Sequence, residues 1–289
     1  MKTVVNLLNS FGKTEDGGNP AGVVLDAENI SDEQRKEISK IVGYSETAFV
    51  EKSDKADFKV RFFTPTEEVD LCGHATIATY SLLLSKHLIK IGTYSQELKA
   101  GVLAVEILED GTVLMAQSLP AFSDTFKIDE ILDIFKCSED VFTVNNLPIQ
   151  IVSTGLRDVF VPVKDRVILD RLAPDFSKMA EFNKKTNTIG FHLFTLDTLY
   201  KEDAGYCRNF APLYGIDEES ATGSSNGALA CYLYEYGIIN HTNNVVFEQG
   251  YRMNKLSEIV AKLEILNKKI TTVKIGGKAT LIGEKNIDL

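Results

Sequence analysis

Two segments of the chain are apolar on almost every face, and this pattern predicts buried helices rather than surface helices. The first, CGHATIATYSLLL, begins at Cys72, and the second, TGSSNGALACYLYEY, begins at Thr222, about 150 residues later. A helix that is apolar all round has to be enclosed on every side. The rest of the chain is rich in strand-like segments, so we expect a curled sheet around each helix and infer an internal duplication.

Amphipathic and alternating segments predict the elements around the two helices. Residues 31–42 have a serine N-cap, Gln34 at the capping-box position and Gly43 as terminator, and therefore predict a surface helix. The segment DFKVRFFT, residues 57–64, alternates apolar and polar side chains as a half-buried strand does. The turn at Glu109-Asp110-Gly111 predicts a β-hairpin. Further helices are expected over residues 127–135 and 177–185.

The length of 289 residues and the repeated order of elements predict two similarly sized halves. We place an N-terminal lobe at residues 1–120 and a C-terminal lobe at residues 121–289, and allow the last strands to return to the N-terminal lobe. No low-complexity linker separates the halves, so residues 120–127 are taken as the crossover.

Charge and hydropathy exclude several classes of partner. The net charge of −10 and the pI near 5.0 argue against nucleic acid and anionic membranes, because both favour an excess of Lys and Arg. The sequence contains no apolar run of membrane-spanning length, and its start lacks a signal-peptide pattern. We therefore expect a cytoplasmic protein. A small anionic ligand held locally remains compatible with this composition.

The cysteines and histidines are too scattered to predict a disulfide framework or a structural zinc site. No CxxC pair occurs, and the sequence predicts no metal site. The cysteines are Cys72, Cys137, Cys207 and Cys231, and the histidines are His74, His87, His192 and His241.

The starts of the two apolar helices are candidate anion sites. Glycines and short side chains there leave the first backbone N–H groups uncovered at the positive end of the helix dipole, where a carboxylate fits. If the two halves face each other, both helix starts converge on one cleft. The same residue types also serve simply as helix caps, which is the alternative for either segment alone. The candidate binding residues are Cys72, Gly73, Ala75, Thr222, Gly223, Ser224 and Ser225, and Asn19 is a candidate for lining the cleft.

Six segments together resemble a known family. They are GNPAGVVL, YSETAFV, RFFTPTEEVDLCGHATIA, STGLRDVFVPV, ATGSSNGALACYL and FEQGYRM. In this order, from about Gly18 to Met253, the chain resembles the phenazine biosynthesis PhzF-like family, which is related to diaminopimelate epimerase.

The resemblance implies an α+β fold of two pseudo-symmetric lobes, each a highly curved, mostly antiparallel, barrel-like sheet around a central apolar helix. It also implies cofactor-independent chemistry in a site between the lobes, and a homodimer. The family's proton-transferring glutamate falls on Glu46, and its substrate-contacting histidine on His74. Its acidic residue falls on Glu219 and its serine on Ser224. These assignments make Glu46, His74 and Glu219 the candidate catalytic residues.

The side chains themselves suggest how such a site works. Glu46 lies just before the apolar residues AFV, so we expect desolvation to raise its pKa and let it accept and return a proton. The alternative is a solvated glutamate at a strand edge. His74 lies in the first turn of a helix, whose dipole favours the neutral imidazole, and the alternative is a histidine that caps its own helix. Asp70 is a further candidate cap of that helix.

Cys72 and two departures from the family pattern shape the expected chemistry. The epimerase relatives use one cysteine from each half, but Thr222 stands at the second place, and a hydroxyl is too weak an acid for that role. The resemblance therefore favours a one-base proton shift by Glu46, with Cys72 either a thiolate near a helix start or a small buried residue. Glu219-Ser220 replaces the usual Asp-Pro, and residues 254–257 read NKLS instead of GRPS.

The predicted function is a cofactor-independent isomerase that shifts a proton on a small carboxylate, either amino-acid-like or a cyclic dihydroaromatic acid. One alternative is a catalytically silent protein that binds a small carboxylate or a partner. A less favoured alternative is a serine hydrolase, because residues 223–227 fit GxSxG. The lead-in to that segment is polar, and only His241 follows it.

Overall fold

The structure is a computed structural model that describes residues 2–14, 16–142, 144–240 and 242–289 of the chain. It contains two compact units. The first consists of Met1–Ala116 and Gly276–Leu289, and the second of Gln117–Ile275. His241, which the hydrolase alternative requires, lies outside the described residues.

The first unit contains two helices and nine strands among its described residues. The helices are α1 (Asp32–Val42) and α2 (Gly73–Ser85). The strands are β1 (Lys2–Ser10), β2 (Asn19–Val24), β3 (Thr47–Glu51), β4 (Phe58–Phe63), β5 (Glu68–Val69), β6 (Gly92–Leu98), β7 (Gly101–Ile107), β8 (Val113–Gln117) and the last strand of the chain, β18 (Ala279–Asp288).

Mostly antiparallel pairs build the sheet of the first unit. β1 pairs with β18 and β2 in antiparallel fashion, and β2 pairs with β3 in parallel. β3 and β4 are antiparallel, β4 and β6 are parallel, and β7 pairs antiparallel with both β6 and β8. The short β5 pairs with β4, just before the chain enters α2.

Helix α2 is enclosed, as its apolar pattern predicts. Six consecutive residues, 75–80, are buried, and they span more than one turn, so every face of the helix is covered. Its buried side chains share a core with apolar side chains of the strands, among them Val23, Ala48 and Phe62. The same burial keeps the polar start of the helix at a fixed position in this unit.

The second unit contains four helices, three 3₁₀ helices and nine strands among its described residues. The helices are α3 (Asp129–Phe135), α4 (Arg166–Arg171), α5 (Phe176–Thr186) and α6 (Gly223–Glu235), and the 3₁₀ helices are Glu139–Phe142, Pro212–Tyr214 and Tyr251–Met253. The strands are β9 (Ala121–Phe126), β10 (Ile149–Ser153), β11 (Arg157–Pro162), β12 (Gly190–Thr195), β13 (Gly205–Ala211), β14 (Ile216–Glu219), β15 (Val245–Gln249), β16 (Ser257–Leu266) and β17 (Lys269–Gly277).

The strands of the second unit pair in the same order as those of the first. β10 is antiparallel to β9 and β11, β11 is parallel to β12, and β12 is antiparallel to β13. β13 then pairs with the short β14 and, in parallel, with β15, which is antiparallel to β16. Helix α6 follows β14 as α2 follows β5, and its residues 225–233 are all buried.

The same ion pair holds the strand before the central helix in each unit. Arg61 on β4 donates from Nε and Nη2 to Glu68 on β5 at 2.8 and 2.7 Å, and Arg208 on β13 donates from the same atoms to Glu218 on β14 at 2.8 and 2.7 Å. Each glutamate stands five residues before the first residue of its helix, Gly73 or Gly223. Such two-pronged bonds fix both distance and orientation.

The elements predicted from the sequence are largely confirmed. Ser31 and Gln34 form the capping box of α1, Gly43 ends that helix with φ 80°, and Gly111 turns the β7–β8 hairpin with φ 83°. Residues 120–127 contain strand β9. None of the helices in the described part of the chain has the length and hydropathy needed to cross a membrane.

The two arginine pairs lead to a stability prediction. The Arg208 side chain is 7% exposed and also donates from Nη1 to the carbonyls of Leu169 and Leu172 at 2.8 Å, whereas the Arg61 side chain is 19% exposed and has the exposed Asp32 as its further partner. Lysine cannot reproduce the fork. We expect Arg208→Lys to lower the free energy of unfolding by about 2–4 kcal/mol and Arg61→Lys by about 0.5–1 kcal/mol. Denaturant titration measures both, and equal losses would contradict the prediction.

Candidate active site

The first turn of α2 has no side-chain cap. Cys72 is the N-cap residue, but its side chain makes no capping hydrogen bond. The prediction that Asp70 caps the helix is wrong, because Asp70 points to solvent and its carboxylate binds Lys99 at 3.0 Å. The N-cap side chain therefore does not bind the first N–H groups of the helix. Such uncapped N–H groups are suited to bind an anion.

Glu46, Cys72 and His74 meet at this helix start. His74 Nε2 lies 3.3 Å from Glu46 Oε2, and Cys72 Sγ lies 3.5 Å from His74 Nδ1. The side chains of His74 and Glu46 are 13% and 21% exposed. Glu46 is brought here because it immediately precedes β3, and its carbonyl accepts a hydrogen bond from Gly22 of β2 at 3.3 Å.

The charges at this site are opposite to those expected from the sequence. Burial works to lower the pKa of His74, but the neighbouring Cys72 sulfur and the Glu46 carboxylate outweigh it and hold the pKa well above the ordinary value. Burial likewise works to raise the pKa of Glu46, but its hydrogen bond and charge interaction with His74 outweigh it and lower the pKa. The expectations of a neutral imidazole and a raised glutamate pKa are therefore wrong. They considered each group by itself, whereas the opposite charge of the neighbouring group decides the direction of each pKa shift.

The strand pair β1–β2 supports the same helix start. Ser10, at the end of β1, donates from Oγ to the backbone carbonyl of His74 at 2.6 Å. Asn19 lies opposite Ser10 in the β1–β2 register, so this candidate belongs to the same end of the sheet. Of the other two candidates, Ala75 is fully buried, and Gly73 leaves room at its Cα, where an added Cβ would meet only the end of the flexible Met115 side chain, at 3.3 Å.

The first turn of α6, in the second unit, is built with the same support. Thr222 is the N-cap residue and makes no side-chain capping bond. Thr154, just after β10, donates from Oγ1 to the backbone carbonyl of Ser224 at 3.2 Å, as Ser10 does to that of His74. Ser224 is half-buried, as are Gly223 and Thr222.

Glu219 is joined to the start of α6 through Thr222 and Gln249. Thr222 Oγ1 donates to Glu219 Oε2 at 2.9 Å, and Gln249 Nε2 donates to Thr222 Oγ1 at 3.0 Å and to the Glu219 carbonyl at 2.8 Å. Asn226, one turn into the helix, donates to Gln249 Oε1 at 2.7 Å. The candidate Glu219 is thus held beside the helix start, and the fully buried Gln249 is the residue that fixes it.

Ser225 points away from solvent into a buried polar network. Ser225 is 2% exposed, and its hydroxyl donates to Asp158 and accepts a hydrogen bond from Asn209 Nδ2 at 3.2 Å. Asn209 Nδ2 also lies 3.1 Å from His192 Nδ1. Burial lowers the pKa of His192 to about 3, so this histidine is neutral. The Ser225 hydroxyl is therefore engaged within the unit. Of the groups of Ser225, only the backbone N–H could bind a ligand at the helix start.

The two units differ at the strand position that carries the candidate base. The strand registers pair Thr47 with Phe63 in the first unit and Phe191 with Phe210 in the second, so the residue before each, Glu46 or Gly190, occupies the corresponding place. A Cβ at Gly190 would collide with the carbonyl oxygen of Phe210. The second unit therefore carries no side chain where the first carries Glu46.

Several residues of the two helix starts were not singled out from the sequence. Thr154 and Asp158 belong to the segment STGLRDVFVPV, and Gln249 belongs to FEQGYRM. The family resemblance therefore identified the segments that contain these residues, but not the contacts that they make. Ser10 lies in no such segment. Each acts through hydrogen bonds to residues far away in the sequence, which sequence spacing does not reveal.

The comparison with known sequences identifies the family. A family model described as phenazine biosynthesis-like protein, PhzC-PhzF, matches residues 8–285. The chain belongs to this PhzC-PhzF family. The recognition made from the sequence segments is confirmed.

Relatives in the PhzC-PhzF family are named isomerases. The chain is 32% identical to the uncharacterized isomerase YddE of Escherichia coli (strain K12), over 98% of this chain and 97% of that protein. It is 28% identical to trans-2,3-dihydro-3-hydroxyanthranilate isomerase of Pseudomonas fluorescens, over 98% of both chains. These names support isomerase activity in the family.

A solved structure shows the same mixed fold of sheet and few helices. The crystal structure of the Bacillus anthracis phenazine biosynthesis protein of the PhzF family has a TM-score of 0.89 to this chain, with 29% sequence identity and full coverage of both chains. The α+β class expected from the sequence is confirmed at this level.

The buried Asp158 predicts a pH dependence of stability. Burial raises the pKa of Asp158 above its ordinary value despite its hydrogen bond to Ser225. The native state therefore holds this proton more tightly than the unfolded state, so its contribution to stability is present below the unfolded pKa, about 4, and is lost as pH rises. We expect the free energy of unfolding of the natural chain, relative to that of Asp158→Asn, to fall as the pH rises from about 4 towards neutrality.

Denaturant titrations over this pH range measure the difference. Asp124→Asn, at an exposed position on β9, is the matched control and should give a flat difference. His192 is neutral in the native state over this range but protonates in the unfolded state, and this contribution is common to both proteins and cancels from the difference. A difference for Asp158→Asn that rises with pH, or stays flat, would contradict the raised pKa.

Proposed function

We propose that this protein is a cofactor-independent isomerase that shifts a proton on a small carboxylate substrate, with Glu46 as the general acid/base. The proposal rests chiefly on one observation, the contact of Glu46 with His74, at 3.3 Å, beside the uncapped start of α2. The isomerase names of its relatives support the same reaction class.

Each part of the site has a chemical role in this proposal. The N–H groups of the first turn of α2 hold the substrate carboxylate, as helix N-termini hold anions. The Glu46 carboxylate takes a proton from a carbon near that carboxylate, the C–H electron pair moves into the adjacent π system, and the protonated Glu46 returns the proton to another atom on the same face. The reaction is an isomerisation, so atoms and electrons balance within the substrate.

His74 compensates for the weakness of Glu46 as a base. A carboxylate with a lowered pKa is ionised near neutrality and can accept a proton, but its low pKa gives proton transfer from the substrate little driving force. A cationic imidazole and the helix start both favour negative charge that develops on the substrate, and this kind of stabilisation is usually the largest catalytic contribution. Glu219, held by Thr222 and Gln249, is proposed as a further residue that orients the substrate.

The substrate class follows from the relatives. We propose a cyclic dihydroaromatic acid first, because one relative is named for trans-2,3-dihydro-3-hydroxyanthranilate, and an amino-acid-like carboxylate second. Glu219-Ser220 replaces the usual Asp-Pro of the family and bears on which acid fits. The prediction of two pseudo-symmetric, highly curved, barrel-like lobes is part of this proposal, as are a cytoplasmic location and a homodimer.

The hydrolase alternative finds no support in the structure. The central serine of the GxSxG match is Ser225, which is 2% exposed and donates its hydroxyl proton to Asp158. A nucleophile elbow instead presents its serine at a sharp, exposed turn.

Hydrogen exchange tests the proposed isomerase. The protein in D₂O should wash deuterium into trans-2,3-dihydro-3-hydroxyanthranilate, or into a carboxylate that copurifies with it, as followed by NMR and mass spectrometry. Glu46→Gln should slow this exchange by about 10²-fold or more, because it removes the proton acceptor, while ligand binding changes little. Glu67→Gln, an exposed carboxyl of the neighbouring segment, is the control and should exchange normally.

The outcomes separate catalyst from silent binder. Exchange that is equally fast in Glu46→Gln and the natural chain would refute the role of Glu46. Binding without exchange in any variant would instead favour a silent carboxylate-binding protein.

A further inference from the structure

Glu46, Cys72 and His74 place three different metal-binding atoms together. One sulfur, one ring nitrogen and one carboxylate oxygen lie within 4.8 Å of one another, and these are the only three such donors grouped in this way in the described residues. Sγ of Cys72 is 3.5 Å from Nδ1 and 3.9 Å from Nε2 of His74, and Nε2 is 3.3 Å from Oε2 of Glu46.

These separations are close to the edges of a tetrahedral zinc site. With Zn–S about 2.3 Å and Zn–N and Zn–O about 2.0–2.1 Å, tetrahedral angles put sulfur and nitrogen roughly 3.5 Å apart and nitrogen and oxygen roughly 3.3 Å apart. With Nε2 of His74 as the ligand atom, the distance to Glu46 Oε2, 3.3 Å, matches this geometry, and the distance to Cys72 Sγ, 3.9 Å, is somewhat longer. Zinc binding through Nε2 therefore requires the Cys72 sulfur to move closer to the imidazole. The cluster is also sheltered, since Cys72 is 7% exposed.

The donor set selects the class of metal. Thiolate and imidazole suit Zn²⁺ and similar borderline ions, whereas Mg²⁺ and Ca²⁺ prefer all-oxygen sites. A thiolate and a carboxylate together neutralise a divalent ion, which offsets the unfavourable positive end of the α2 dipole. Three protein ligands leave a fourth position open, as in exchangeable or catalytic zinc sites rather than closed structural ones.

We infer that Glu46, Cys72 and His74 form a reversible binding site for one Zn²⁺-like ion, and that the bound ion inhibits the protein. Coordination displaces the protons of the thiol and imidazole to solvent and occupies the Glu46 oxygen that would accept the substrate proton. The inhibition rests on the proposed function, whereas the metal site itself does not.

Cobalt titration tests the site without any substrate. Metal-free full-length protein should bind one Co²⁺ per chain and develop the sulfur-to-cobalt charge-transfer absorption, together with the intense visible bands of tetrahedral Co²⁺. Cys72→Ser should lose the charge-transfer band and bind at least about tenfold more weakly. Glu46→Gln should keep the band with weaker binding, which guards against the chance that Cys72→Ser misfolds.

Matched variants control for unspecific binding. Cys137→Ser removes a thiol of the second unit, and His87→Asn removes an exposed imidazole at a position with φ 57°, which asparagine tolerates. Both should retain the cobalt spectrum. A spectrum without sulfur-to-cobalt absorption, or one that persists in Cys72→Ser, would overturn the metal site.

Zinc addition then tests the inhibition. One equivalent of Zn²⁺ should suppress deuterium exchange at least about tenfold, and a chelator should restore it. Metal binding with unaffected exchange would overturn the inhibition alone. Metal binding by a protein that never exchanges would leave the site standing and refute the proposed isomerase, so the two failures are distinguishable.

Discussion

An apolar helix that is buried on every side has only its ends as polar features, and the fold is organised around that constraint. In α2 the buried residues 75–80 cover all faces, and the first turn carries no side-chain cap. The energetic need of these N–H groups for a partner turns the helix start into a place for an anion. Glu46 and His74 lie 3.3 Å apart beside this helix start, and the proposed proton transfer is assigned to them.

The two units use one scaffold for different purposes. In both, an arginine fork fixes the short strand before the central helix, and a hydroxyl at the end of β1 or just after β10 donates to the carbonyl of the second residue of the helix. Around the start of α2 the remaining side chains are ionisable and partly exposed. At the start of α6, Ser225 instead joins a buried network with Asp158, and the half-buried Glu219 is bound by Thr222.

Helices and strands were predictable because periodicity and caps are local. Ser31 and Gln34 predicted the start of α1, and apolar residues on nearly every face predicted α2 and α6. The protonation of Glu46 and His74 was not predictable, because each pKa depends on a partner 28 residues away in sequence and 3.3 Å away in space. The place of Asp70 was not predictable for a similar reason, because its carboxylate binds Lys99, on the loop between β6 and β7, at 3.0 Å.

Gly190 has an evolutionary consequence. Because the carbonyl of Phe210 occupies the space that a side chain would need there, no substitution at that position can give the second unit its own copy of Glu46. Substitutions that alter the second unit's part in the proposed site are therefore left to the end of β14 and the residue after it, where Glu219 and Ser220 lie. Under the proposed function, differences in substrate preference among relatives are expected there, while the proposed base stays in the first unit.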